Sequence, residues 1–304
     1  MSTLTAFNAE LVLDTRNETG ESPVWSVAEQ ALYWVDIPAC RLQRWTSADR
    51  HVAHWDTPEA ITCLAPTQHA NQWLVGAETG IARLTLSSDN ALEFECVALA
   101  KHAQLHMRFN DGRCDRQGRF LAGTMVWDGR AGAGAKTGAI YQYESTGVLR
   151  PLLSGFRKPN GLAFSPRGET MYLSDSHPEE RRVWAYDYDV QTGTPSNGRP
   201  FIDMTSFAGR PDGAAVDTDG CYWICGTDAG LVHRYTPQGQ LDCSVRVPVA
   251  KPSMCAFGGA DMRTLYITSM RASAASDPSA PDGGVFAIHL AHAQGIAEPV
   301  YTPV

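Results

Sequence analysis

What the sequence lacks narrows its function before any motif is read. No apolar run approaches the length needed to span a membrane as a helix. Lys and Arg number 25 against 33 Asp and Glu, a net charge of −8, and they form no basic cluster, which excludes a nucleic-acid partner from the expected readings. The stretch Met1 to Glu10 has neither the basic nor the apolar region of a secretory signal, so the expected compartment is the cytoplasm, with no membrane association. The eight cysteines, at 40, 63, 96, 114, 221, 225, 243 and 255, contain no Cys-x-x-Cys pair, and several fall inside apolar strand patterns. They read as small buried hydrophobes and not as a disulfide framework. There is no Gly-x-Ser-x-Gly elbow and no His-Glu-x-x-His, so neither a serine hydrolase nor a helical zinc protease has support. The segment from Gly129 to Thr137 approaches a phosphate loop, but Lys136 does not directly follow Gly134 and a strand-like run comes next. It is expected to be a loop near the channel mouth, close to Asp128.

What the sequence does contain is repetition. Six short runs of alternating β-formers recur: Ala31-Leu-Tyr-Trp-Val-Asp36, Gln72-Trp-Leu-Val-Gly76, Arg119-Phe-Leu-Ala-Gly123, Thr170-Met-Tyr-Leu-Ser174, Cys221-Tyr-Trp-Ile-Cys225 and Thr264-Leu-Tyr-Ile-Thr268. Marked by Tyr33, Leu74, Leu121, Tyr172, Trp223 and Tyr266, their intervals are 41, 47, 51, 51 and 43 residues, the spacing of propeller blades. Turn tetrads ending in Gly, such as Asp115-Arg-Gln-Gly118 and Asp217-Thr-Asp-Gly220, precede the runs, and a further strand-like run follows each. The expected fold is all-β, a six-bladed β-propeller filling residues 1–304 as one domain. The run from Ala9 to Asp14 is expected to pair with the last blade and close the ring.

Ahead of each turn lies the innermost strand of its blade. Superposing these strands puts Glu21, Ile61, Asn110, Asn160, Asp212 and Ser253 at one register, 40, 49, 50, 52 and 41 residues apart. Five of the six carry oxygen, and equivalent positions in a ring of blades face one axis. Taken singly, Asn-Gly and Asp-Gly are ordinary turn formers. Carboxylates and amides converging on a channel would repel or stay unsatisfied without a partner, and a divalent cation resolves this. Oxygen ligands suit Ca²⁺, Mg²⁺ or Mn²⁺, with Zn²⁺ and Fe(II) admissible. Ile61 has no donor atom and should serve packing.

Eight segments then converge: Gly20-Glu-Ser-Pro-Val-Trp25, Tyr33-Trp-Val-Asp36, Arg108-Phe-Asn-Asp-Gly112, Ala122-Gly-Thr-Met125, Pro159-Asn-Gly-Leu162, Tyr172-Leu-Ser-Asp-Ser176, Pro211-Asp-Gly213 and Cys255-Ala-Phe-Gly-Gly259. In their order and spacing the chain resembles the senescence marker protein (regucalcin) / gluconolactonase family. The resemblance implies one divalent metal in the channel and hydrolysis of sugar lactones to aldonic acids. It implies Glu21, Asn160 and Asp212 as metal ligands, Asp212 also as general base, and Arg108 and Asn110 as contacts to the lactone. Asp128 stands where the family usually has Glu a few residues after Gly-Thr-Met, and is expected to contact substrate. Asp175 and His177 are further candidates near the channel. The alternative function is a calcium-binding regulatory propeller without significant catalysis. An open site with only two carboxylates is poor for dedicated calcium binding, which favours the enzyme.

Overall fold

In the computed structural model, residues 5–49, 51–87, 89–145, 147–271 and 279–303 are described. Six antiparallel sheets stand in a ring as the blades of a β-propeller, covering residues 20–56, 61–99, 107–156, 159–203, 210–246 and 252–289. Each blade starts at the axis and runs outward strand by strand. The innermost strands are Gly20–Ser26, Ile61–Pro66, Met107–Cys114, Pro159–Phe164, Arg210–Val216 and Pro252–Gly258. No α-helix occurs among the described residues, only a single 3-10 turn at Met204–Ser206, and no helix is long and apolar enough to cross a membrane.

The second strands sit between neighbouring blades with both faces covered, so Ala31–Asp36 and Tyr222–Thr227 are buried at every position. This is why the repeat reads as nearly continuous apolar sequence. Outermost strands face water on one side and alternate instead, as Leu92–Leu99 does. The core is a set of wedges between blades. Tyr33, Val35 and Leu42 of the first blade pack on Ile61, Leu64 and Trp73 of the second. Trp25 stacks on Tyr266 across the seam between first and last blades, with ring centroids 5.4 Å apart.

That seam is closed as expected by Glu10–Leu13, which pairs antiparallel with Val285–His289. The preceding Thr5–Asn8 adds a parallel fifth strand to blade five, against Leu241–Arg246, a pairing that repeat counting does not reveal. The chain after the last strand is also unforeseen. Thr218 N donates to Gln294 O, Tyr301 N to Pro66 O and Thr302 N to Gly118 O. All three contacts lie at the turns that follow innermost strands, so the tail crosses the end of the channel opposite the residues that begin those strands.

Candidate active site

Every innermost strand breaks register at the same place. Pairing shifts between Glu21 and Val24, Ile61 and Cys63, Phe109 and Gly112, Asn160 and Ala163, Pro211 and Ala214, and Pro252 and Cys255. A bulge at this point re-aims the residues around it, which is how strands deliver side chains to a site. Two of the bulges need a left-handed residue: Ser22, at φ 50°, and Gly161, at φ 59°. At Gly161 a β-carbon would lie 2.5 Å from Tyr222 Oη and 3.0 Å from the Asp212 carbonyl, so this close approach of blades four and five requires glycine.

The six register residues then divide. Glu21 is partly exposed, while Asn160 and Asp212 are buried and in contact, the Asn160 amide nitrogen donating to Asp212 Oδ1 and to Ser176 Oγ at 3.0 Å. Ile61 lies wholly in the core wedge, as expected of a packing residue. Ser253 is also fully buried and turns its hydroxyl to the Gly20 carbonyl and Thr268 Oγ1. Asn110 links blades three and four, its Nδ2 donating to Pro159 O at 3.0 Å and its Oδ1 accepting from Arg108 Nη1 at 2.7 Å.

The electrostatics single out the carboxylates. Burial pushes Asp212 up to about 7, although Arg210 and Lys158 pull the other way. Glu21 is held well above the ordinary carboxylate range, first by burial and then by the charges of Asp212 and Asp111. Asp111 is the member that register counting missed. It is buried and raised, with Oδ2 accepting from Leu162 N at 2.8 Å and Oδ1 without a partner among the described residues. The charges of Asp212 and Asp111 both act on Glu21, and a cation among them would relieve that repulsion. Asn160 adds a neutral oxygen, for its amide nitrogen is committed and no described residue donates to its Oδ1. No group of three or more His, Cys, Asp and Glu forms a metal centre among the described residues. A set of Glu21, Asn160 and Asp212 therefore fits a hard divalent ion with open positions, and offers little to a thiophilic one.

Around this centre, Arg108 is buried with its guanidinium over the Trp127 ring, 4.4 Å from the centroid. Among the described residues it forms no ion pair and its Nε has no acceptor. Asp128 is exposed at the channel mouth, both oxygens 2.8 Å from Lys158 Nζ. His177 lines the same mouth beside Gly134, placing the glycine-rich loop at the rim. Asp175 is buried away from the opening. Its carboxylate accepts from the backbone N–H groups of Arg157, Lys158 and His177 at 2.7, 3.1 and 3.0 Å. Asp36 does the same in blade one, accepting from Glu18 and Thr19 N, both at 3.0 Å. Each Asp thus clamps the residues three and two positions before a proposed ligand, Asn160 or Glu21. The signal was present in the sequence as an Asp ending Tyr-Trp-Val-Asp36 and Tyr-Leu-Ser-Asp175.

The SMP-30/Gluconolactonase/LRE-like region matches residues 19–271. A 6-deoxy-6-sulfogluconolactonase of Pseudomonas putida is 38% identical over 93% of this chain and 94% of its own length. An L-arabinolactonase of Azospirillum brasilense is 36% identical over 95% and 94%. Among solved structures, a calcium-binding protein, regucalcin, of Agrobacterium tumefaciens superposes with a TM-score of 0.89 at 26% identity, covering 99% of this chain and 100% of that one.

Proposed function

The chain belongs to the SMP-30/gluconolactonase/LRE-like family, and from that premise we propose that it is a divalent-metal-dependent sugar lactonase, opening an aldonolactone to its aldonic acid. The observation that carries this reading is the pair Glu21 and Asp212, two carboxylates raised by burial at one bulged register beside the Asn160 amide. Relatives named as lactonases that act on a sulfogluconolactone and an arabinolactone support the substrate class.

Glu21, Asn160 and Asp212 would hold the cation, which when bound polarises the lactone carbonyl and stabilises charge developing on its oxygen. Asp212, buried beside the Asn160 amide, is the general base in this reading and takes a proton from the attacking water. The water oxygen bonds to the carbonyl carbon, the ring C–O bond breaks, and the departing ring oxygen ends as the hydroxyl of the product. Arg108, rigid over Trp127 and with a donor to spare, and Asn110, fixed to it, orient the ring hydroxyls from blade three. Asp128 stands at the outer edge of the same opening.

The test is turnover of a panel of aldonolactones by protein treated with chelator and then resupplied with single metals. Hydrolysis that depends on metal and falls about 10²-fold or more in Asp212→Asn is expected. Calcium binding with no lactone hydrolysed under any metal would replace the enzyme with a calcium-binding protein.

A further inference from the structure

Counting two residues back from the axial register gives a second ring of positions: Thr19, Glu59, Arg108, Lys158, Arg210 and Lys251. Four consecutive blades, three to six, therefore carry a cation at one height just outside the proposed ligands. Lys158 and Arg210 line a cavity of about 490 Å³ at the channel mouth, shared with Asp128, Arg157, His177 and Asp228. Asp128 bridges Lys158, at 2.8 Å, towards Arg108 and Arg210, whose charges it also reaches. Asp228 bridges Arg210, at 2.7 Å, and Lys251, at 3.9 Å. Asp212 also faces Lys158 and Arg210, and Glu21 faces Arg108, but the lactonase reading commits both to the cation, so outside that site the four cations share two carboxylates, Asp128 and Asp228. Arg157 adds none to the surplus, because Glu179 and Glu180 lie 3.1 and 3.5 Å from it. The acidic side chains Glu59 and Glu78 stand on the blade-two side, where Glu59 is bonded to Thr79 and Glu78 accepts from Trp127 Nε1.

Donors remain free on this edge. Arg210 uses Nε on Asp228 and Nη1 on the Ser176 carbonyl, leaving Nη2 without an acceptor among the described residues. Lys158 spends two of three N–H groups on Asp128. The Lys251 ammonium makes no hydrogen bond among the described residues, only the long ion pair. A neutral sugar hydroxyl has no need of so much positive charge, whereas a compact oxyanion takes up such donors well.

We infer that blades four to six form an anion-recognising edge of the substrate pocket. The preferred lactone then carries a negatively charged group, a sulfonate, phosphate or carboxylate, on the carbon that projects from the ring towards Lys158, Arg210 and Lys251. This deepens the lactonase reading for hydrolysis but is testable without it, through binding of the ring-opened acids. The experiment titrates the metal-loaded protein calorimetrically with gluconate, glucarate, 6-phosphogluconate and 6-sulfogluconate. At least one acid with an anion at the sixth carbon should bind roughly tenfold or more tighter than gluconate, and the tightest of the three identifies the group. In the double variant Lys158→Gln/Arg210→Gln the ratio should shrink to within about twofold. It should shrink in the unaltered protein too as salt rises from about 50 to about 500 mM, a readout that survives if the variant does not fold. Equal affinity for gluconate and all three of the more highly charged acids, or a preference indifferent to salt and to the double variant, overturns the inference. Hydrolysis of the matching lactones is a separate arm: if none is turned over, the lactonase reading fails while the affinity ratio still decides the anion edge.

Discussion

At Asp212 the burial that suits a base is also a liability for the metal-free protein. Its folded pKa, raised to about 7, exceeds the ordinary aspartate value, so the folded state keeps a proton that the unfolded chain has released. Stability is then complete below the ordinary carboxylate range and is lost as pH climbs from there through about 7. The loss is on the order of 2–4 kcal/mol for such a shift. Chelated protein should therefore melt at a lower temperature at pH 8 than at pH 5. Asp212→Asn should remove much of that difference, and added divalent cation should restore the melting temperature at pH 8. His233, lowered by burial, works in the opposite sense on the acid side, so the comparison with Asp212→Asn isolates the effect. A melting temperature that rises steadily from pH 5 to 8 in chelator, equally in both proteins, would contradict the assigned burial of this pair. Residue chemistry was only partly visible beforehand. Counting puts Glu21, Asn160 and Asp212 at one register with Ile61, Asn110 and Ser253 because the blade period is regular, and the family resemblance singles out the three. Asp111 does not, because a bulge sets two or more residues against one partner and counting cannot say which turns inward.

The strands that carry the ligands are held by their neighbours as much as by their own ladder. Asp175 ends the second strand of blade four, Thr170–Asp175, and gathers three backbone N–H groups from the segments on either side of it. Among the described residues those donors have no other acceptor, so removing the carboxylate leaves three part-buried N–H groups unpaired and a cavity at a buried position. Asp175→Ala should lower unfolding free energy by about 2–4 kcal/mol and weaken metal binding, because Asn160 lies two residues after the clamped Lys158. Asp175→Asn keeps one acceptor oxygen and should lose less of both. Denaturant midpoints and metal titration on the two variants provide the check, and wild-type metal affinity in a folded Asp175→Ala would show the clamp to be merely structural. The motif was readable as a strand ending in Asp, but not its duty. A strand pattern reports which face is buried; it says nothing of which neighbouring segment comes to meet the strand's end.

On the scale of the whole ring, the architecture was legible because each blade repeats one bargain between covered inner strands and a half-wet outer strand. Departures from the repeat were not legible. The parallel strand Thr5–Asn8 and the tail that brings Glu298 within 3.4 Å of Arg113 each occur once, so no internal copy announces them. Their effects differ in kind. The tail covers one end of a ring that is already closed, whereas Glu10–Leu13 supplies the outer strand of blade six and Thr5–Asn8 extends blade five beside it. Without residues 1–13, Val285–His289 becomes an open edge of unpaired N–H and C=O groups, and the first and last blades keep only their inner contacts, the packing of Trp25 on Tyr266 and a few hydrogen bonds such as Asn17 N to Gly283 O and Ser253 Oγ to Gly20 O. A chain lacking residues 1–13 should therefore unfold at markedly lower denaturant and self-associate in light scattering. One lacking residues 296–304 should stay monodisperse with a smaller drop in midpoint. If the two truncations prove equally stable and equally monodisperse, blade-to-blade packing alone closes the ring, and the N-terminal strand is an ornament to it rather than its clasp.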